Sequence, residues 1–208
     1  MAAADRNRRF WNRIAGRYAA RPLRDVPAYE AILAATAARL SPADRVLEIG
    51  CGTGGTAIRL APGVASWLAT DLSEEMVRIA RAKPGSDAVR FAVADAADAL
   101  RAGPFDAVCA FNVLHLVDDL PGTLSQVHAS LTPGGRLIAR VWCFGDLSAP
   151  LRLLVRALQL LRLVPKLHVL RQAALRHALQ AAGFEIVEEC IFGTRRQNPF
   201  IVARRSAG

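Results

Sequence analysis

Four glycines fall within the six residues from Gly50 to Gly55, in the stretch Val46-Leu-Glu-Ile-Gly-Cys-Gly-Thr-Gly-Gly55. The run Arg45–Ile49 before them is apolar around a single Glu48, which is the pattern of a short buried parallel strand. Residues 56–60 after them resume helical spacing. Glycine beside a regular element costs conformational entropy, and a plain turn has no need of four. A strand, a glycine turn and a helix in that order bring backbone N–H groups up to a nucleotide-like ligand at the helix N-terminus. Gly50, Gly52 and Gly55 spell G-x-G-x-x-G, with Glu48 two residues ahead of the first glycine. Asp71 closes the next apolar run, 65–70, about 20 residues on, where a carboxylate accepts hydrogen bonds from both ribose hydroxyls. The bland alternative is a tight turn with no ligand.

Composition bounds the rest. A chain of 208 residues supports one well-buried α/β domain and is short for two. With 52% hydrophobic and 22% charged residues it is globular rather than disordered. No run approaches the roughly 18 apolar residues of a membrane span. The start, Ala2-Ala-Ala-Asp-Arg-Asn-Arg-Arg9, leads into no apolar signal core, so the expected location is cytoplasmic and the expected protein soluble. Cys51, Cys109, Cys143 and Cys190 lie too far apart to chelate, and each adjoins an apolar run; buried thiols are expected and no metal. The net charge of +9 raises a nucleic-acid partner. Lys83 and Lys166 are the only lysines among 27 basic residues, however, a bias that GC-rich coding explains. The arginines are dispersed apart from 6–9 and 195–196, without interleaved aromatics, which argues against nucleic acid.

Taken with Asp71, the pattern Glu48-x-Gly50-x-Gly52-x-Gly54 resembles the class I S-adenosylmethionine (SAM) dependent methyltransferases. Asp95-Ala96 after a third strand, Leu131-Thr-Pro-Gly-Gly-Arg136 and Ala182-Gly-Phe184 extend the resemblance. Phe10-Trp-Asn-Arg-Ile-Ala-Gly-Arg-Tyr18 is similar to the segment that folds over the cofactor in small-molecule members related to quinone biosynthesis. The resemblance covers residues 8–205 and is strongest over 44–144. It implies a Rossmann-like, doubly wound α/β fold: a seven-stranded sheet, mostly parallel with an antiparallel C-terminal hairpin, and helices on both faces. It implies SAM as cofactor, with Glu48, Gly50, Cys51, Gly52 and Gly54 in or beside the glycine loop. Asp71 then holds the ribose, Leu72 packs on the adenine and Asp95 accepts the adenine amino group. Met76, Ala96, Asn112 and Tyr18 complete the cofactor set. NAD-dependent oxidoreductases share the loop but leave Asp95 and Pro133-Gly-Gly135 unexplained. A SAM-binding protein without transfer activity is the other alternative.

A single domain is expected, divided into an N-terminal helical cover (1–43), a cofactor-binding core (44–144), a helical insertion and lid (145–182) and a closing hairpin (183–208). Helices are expected over 5–19, 29–40, 54–60, from a Ser73 cap to Pro84-Gly85, 119–131 and 172–182. Pro22 and Pro27 are expected to bracket a loop. Strands are expected over 45–49, 65–70, 89–94, 105–110, 137–144, 184–192 and 199–204.

Methyl transfer from a sulfonium is an in-line displacement helped chiefly by positioning in a water-poor cleft, so it demands no triad or metal cluster. His115, past the fourth strand, is the one side chain there suited to act as a base near neutral pH; a packing or capping histidine is the other reading. The segment 151–164 keeps its polar residues at Arg152, Arg156, Gln159 and Arg162, with apolar residues elsewhere. Three burials satisfy so wide an apolar face: packing over the strand tips, a homodimer, or peripheral contact with a membrane. Packing is the least demanding and puts Leu154, Leu158 and Leu161 near a hydrophobic acceptor. The expected activity is methyl transfer to a small, apolar molecule.

Overall fold

The glycine-preceding run becomes the strand on which the sheet is built. The structure is a computed structural model that describes residues 3–161 and 163–206; Arg162 of the expected polar stripe lies outside them. In chain order the elements are α1 (Ala3–Ala19), α2 (Val26–Ala37), β1 (Arg45–Ile49), α3 (Gly55–Leu60), β2 (Ser66–Asp71), α4 (Glu74–Arg81), β3 (Arg90–Val93), α5 (Ala96–Leu100), β4 (Phe105–Phe111), α6 (Leu120–Ser130), β5 (Leu131–Arg140), α7 (Ala149–Leu160), α8 (Gln172–Ala181), β6 (Phe184–Cys190) and β7 (Phe200–Arg205). The sheet runs β3-β2-β1-β4-β5-β7-β6. Its first five strands are parallel, and β7 enters antiparallel between β5 and β6. This is the expected architecture.

Period-two alternation sorts side chains onto the two faces. Leu47 and Ile49 of β1 join Val108, Leu137, Ala139 and Leu175 in one core layer. Val46 joins Ala107, Cys109, Ile138, Ile32 and Val77 in the other. Both faces are covered by helices, so β1 and β4 read as nearly continuous apolar runs. The thiols of Cys51, Cys109 and Cys143 are buried and Cys190 half-buried, all four free.

Several boundaries differ from those expected, each for a local reason. α2 begins at Val26 instead of residue 29, because Asp25 caps it by accepting from the Ala28 N–H at 3.0 Å. Pro27 then sits in the first turn, where its missing N–H has no partner to lose. A short α5, not expected, is capped by Asp95, which accepts from the Asp98 N–H at 2.8 Å. β5 starts at Leu131, and its register with β4 jumps from Phe105↔Leu131 to Ala107↔Arg136. The proline-glycine turn is thus looped out of the strand. Beyond Arg140 the chain stays extended but pairs irregularly, with Cys143 N–H donating to the Gln197 carbonyl at 2.7 Å. Among the described residues no helix is long and apolar enough to cross a membrane.

Candidate functional site

A cavity of about 660 Å³ opens where β1, β2, β3, β4 and β5 end, closed above by α1 and α7. In parallel sheets the crevice outside the strand carboxyl ends is where ligands bind.

Its floor is the glycine loop. Gly52 has φ +54, and a Cβ there would meet only the Tyr18 ring, at 3.9 Å. Gly54 has φ +74, but its Cβ would strike the Phe91 ring at 2.7 Å and the Ala80 methyl at 2.9 Å. The two glycines therefore have different tasks: Gly52 keeps the backbone open to the cavity, and Gly54 lets α4 and β3 close on the loop. Asp71 joins the loop to the β2 tip. Its Oδ2 accepts from the Gly52 N–H and its Oδ1 from the Ser73 N–H, both at 2.9 Å. Burial pushes the carboxyl up, and these backbone donors oppose that shift. Ser73 caps α4 as expected, accepting from the Met76 N–H at 3.2 Å.

Of the sequence-derived cofactor residues, Tyr18, Gly50, Gly52, Asp71, Leu72, Met76, Asp95, Ala96 and Asn112 all line the cavity. Glu48, Cys51 and Gly54 do not. Glu48 is buried beneath the loop, where the Trp67 indole N–H donates to its Oε2 at 3.2 Å. Burial raises its carboxyl to about 8, so it is protonated near neutral pH. Cys51 is buried too, its N–H donating to the Thr70 carbonyl at 2.9 Å.

Asn112, just past β4, holds φ +57 and donates its N–H to the Arg140 carbonyl at 2.7 Å. Asparagine enters this left-handed region at lower cost than most residues, and such conformers gather at functional sites. His115 is 5% exposed, and its ring meets Phe144 edge-on at 5.5 Å. Its Nδ1 has no hydrogen-bond partner among the described residues. Burial, with His168 adding to it, lowers the imidazole to about 4, so the ring is neutral at pH 7.

Sequence reasoning missed two groups of wall residues. From α1, Asn7 and Trp11 face the cavity. Asn7 donates to the Leu116 carbonyl at 3.2 Å, and its Oδ1 accepts from the Lys166 N–H at 3.0 Å. Asn12 fixes the same helix to α4, its Oδ1 accepting from the Ser73 hydroxyl at 2.6 Å. The second group is Trp142, Phe144, Val155, Val164 and Leu167, which join the expected Leu158. Here the expectation for α7 needs correction. Val155 and Leu158 line the cavity, whereas Leu154 and Leu161 point outward, 51% and 66% exposed. The helix is turned by its polar side chains: Arg152 donates to the Leu147 carbonyl at 3.0 Å and Gln159 to the Leu167 carbonyl at 2.9 Å.

Residues 16–189 match the family model described as methyltransferase domain. An uncharacterized methyltransferase of Mycobacterium tuberculosis is 36% identical over 94 residues, 44% of this chain and 47% of that protein. Demethylmenaquinone methyltransferase of Symbiobacterium thermophilum is 32% identical over 105 residues, 47% of this chain and 42% of that protein. The chain thus spans about half the length, or less, of these curated relatives. The crystal structure of magnesium protoporphyrin IX methyltransferase from Synechocystis PCC 6803 with bound SAM shares the fold, with a TM-score of 0.74 at 20% identity over 99% of this chain and 98% of that one. A nicotinamide oxidoreductase finds no support in these matches. The chain belongs to the methyltransferase-domain family, and its architecture is that of the class I SAM-dependent methyltransferases.

Proposed function

We propose that this domain moves the methyl group of SAM onto a small, largely apolar acceptor. The observation that carries this reading is the two-part character of the cavity. One part offers nucleoside-binding groups at the β1, β2 and β3 tips; the other, beyond β4 and β5, is walled by Trp142, Phe144, Leu116, Val155, Leu158 and Leu167.

The first part fits the cofactor. The space over Gly52 admits a ligand where a side chain would stand, and Asp71 keeps lone pairs for ribose hydroxyls beyond the two backbone N–H groups it already accepts. Asp95 lines the same wall with its backbone cap made, which suits it to an adenine amino group, with Leu72 and Met76 against the ring. When bound, SAM supplies a methyl group already activated by its sulfonium. The tasks of the chain are then to orient the acceptor and to exclude water. The aromatic pair Trp142 and Phe144, stacked with centroids 5.7 Å apart, gives the acceptor a flat apolar wall.

His115 adds a polar ring beside that wall. Its Nδ1 is buried and unpartnered among the described residues, so a polar group of the acceptor reaches it only if the ring turns toward the cavity. The ring is neutral, the form a base needs, but the burial that lowers it to about 4 also makes it a weak base, so positioning carries more of the step than proton uptake.

The test is incubation with methyl-labelled SAM and a cell extract divided into organic-soluble small molecules, protein and nucleic acid. Label is expected in the organic-soluble fraction. Label confined to protein or nucleic acid overturns the acceptor class, and no SAH binding by calorimetry overturns the cofactor.

A further inference from the structure

α7 is built the wrong way round for a helix that faces water. Its polar Arg152 and Gln159 turn inward onto loop carbonyls, while Leu153, Leu154, Leu160 and Leu161 expose 69%, 51%, 84% and 66% of their surface. Leu163, just beyond, is 61% exposed. An ordinary surface helix places charge on that side, and a cluster of exposed leucines marks a contact surface. Beside it Arg152, Arg156 and Arg171 ring a second cavity of about 360 Å³. Among the described residues none of the three pairs with a carboxylate. The surrounding sequence is one-sided as well: residues 147–184 contain no Asp or Glu, but hold Arg152, Arg156, Arg162, Lys166, Arg171 and Arg176.

We propose that α7 is an interfacial helix that lays its outer leucines into an anionic lipid bilayer, with Arg156 and Arg171 on the phosphate headgroups. Leucines on one side and arginines at the flank, with acids absent, is the composition that binds a negatively charged membrane surface in the plane of the interface. The other occupants fit less well. In a two-fold dimer each copy presents the same patch, so this acid-free cationic segment would meet itself. A soluble phosphate compound would occupy the arginine cavity and leave the leucines in water.

The experiment is co-sedimentation of the purified protein with vesicles of phosphatidylcholine alone and of phosphatidylcholine with about one-third phosphatidylglycerol, at low and high salt. The parent protein is expected to bind the anionic vesicles about tenfold or more tightly than the neutral ones, with loss at high salt. Replacing Leu153, Leu160 and Leu161 together by serine should reduce binding about tenfold or more. Arg156→Glu with Arg171→Glu should abolish the preference for anionic vesicles. None of these side chains lines the main cavity, and an unchanged thermal midpoint shows that the variants remain folded. Three results overturn the proposal: a parent that binds neither vesicle, a folded leucine variant that binds like the parent, or a dimer by light scattering that the leucine changes convert to monomer. Saturable binding of inorganic phosphate without vesicle binding would also overturn it, in favour of a soluble anion.

Discussion

Asp71 and Gly52 are joined by a 2.9 Å hydrogen bond from the Gly52 N–H to the Asp71 carboxylate. The carboxylate proposed to hold the ribose therefore also fixes the glycine loop at the cavity floor. Asp71→Ala should weaken SAH binding about tenfold or more, since charge-assisted hydrogen bonds are worth roughly 1.5–3 kcal/mol. Calorimetry on the folded variant checks this, and unchanged affinity would remove Asp71 from the site.

The two loop glycines should separate binding from stability. Gly54→Ala forces a methyl into the Phe91 ring at positive φ, and should cost about 1–3 kcal/mol of folding free energy. Gly52→Val, with space in front of it, should act mainly by filling the cavity and raising the SAH dissociation constant. Thermal unfolding and calorimetry run side by side distinguish the pair. A Gly54→Ala protein as stable as its parent would contradict the packing described for α4 and β3.

Glu48 should make stability fall as pH rises. Its carboxyl titrates near 8 when folded, against 4.5 as its ordinary value. Between those values the unfolded chain gives up a proton that the folded one keeps, so the folded state binds more protons and is progressively disfavoured toward pH 8. Glu48→Gln keeps an acceptor for the Trp67 N–H and removes the titration. The variant should gain stability over its parent between pH 5 and 8, on the order of a few kcal/mol at the upper end. Parallel unfolding curves across that range would show that Glu48 is not protonated when folded.

His115 has the opposite sign. Its folded value of about 4 lies below the ordinary 6.5, so the stabilisation that its neutral form retains at pH 7 is lost as pH falls toward 4. His115→Phe should flatten this acid limb in thermal scans. It should also lower methyl-transfer turnover by about 10² if the ring takes up the acceptor proton, with SAH affinity kept. Turnover within a few-fold of the parent assigns the ring to packing.

Asn7 ties α1 to the cavity wall. Asn7→Ala leaves the Lys166 N–H and the Leu116 carbonyl without their side-chain partner, at a cost of about 1–3 kcal/mol. α1 should then show faster amide exchange and SAH should dissociate faster. Unaltered exchange in residues 3–19 would mean that Asn12 and Ser73 hold the helix unaided.

What could be read from the sequence was what neighbouring residues decide. The β1 run, the loop glycines, Asp71 at the next strand tip and the Ser73 cap depend on contacts within a few residues or across adjacent strands. Asn7 and Trp11 could not be placed in this way, because their partners are more than a hundred residues off or across an open cavity. The division of labour between Gly52 and Gly54 also needed the positions of Phe91 and Ala80. α7 was recognisable as a helix with a polar stripe, but spacing cannot say which side of such a helix faces the protein. Loop carbonyls at Leu147 and Leu167 decided that, and turned the arginine and glutamine inward.

The order of the strands also sets an order in time. β6 has β7 as its sole neighbour in the sheet, and β5 keeps an open edge until β7 arrives. During synthesis the strands carrying the proposed nucleoside-binding tips can pair as they emerge, whereas β5 and β6 wait for the residues from Phe200 onward. The exposed backbone of β5 is, during that wait, the part of the nascent protein most open to mispairing with another chain. The proposed acceptor side is accordingly finished last, and a chain cut short before β7 has the proposed nucleoside half nearly formed and no sealed sheet.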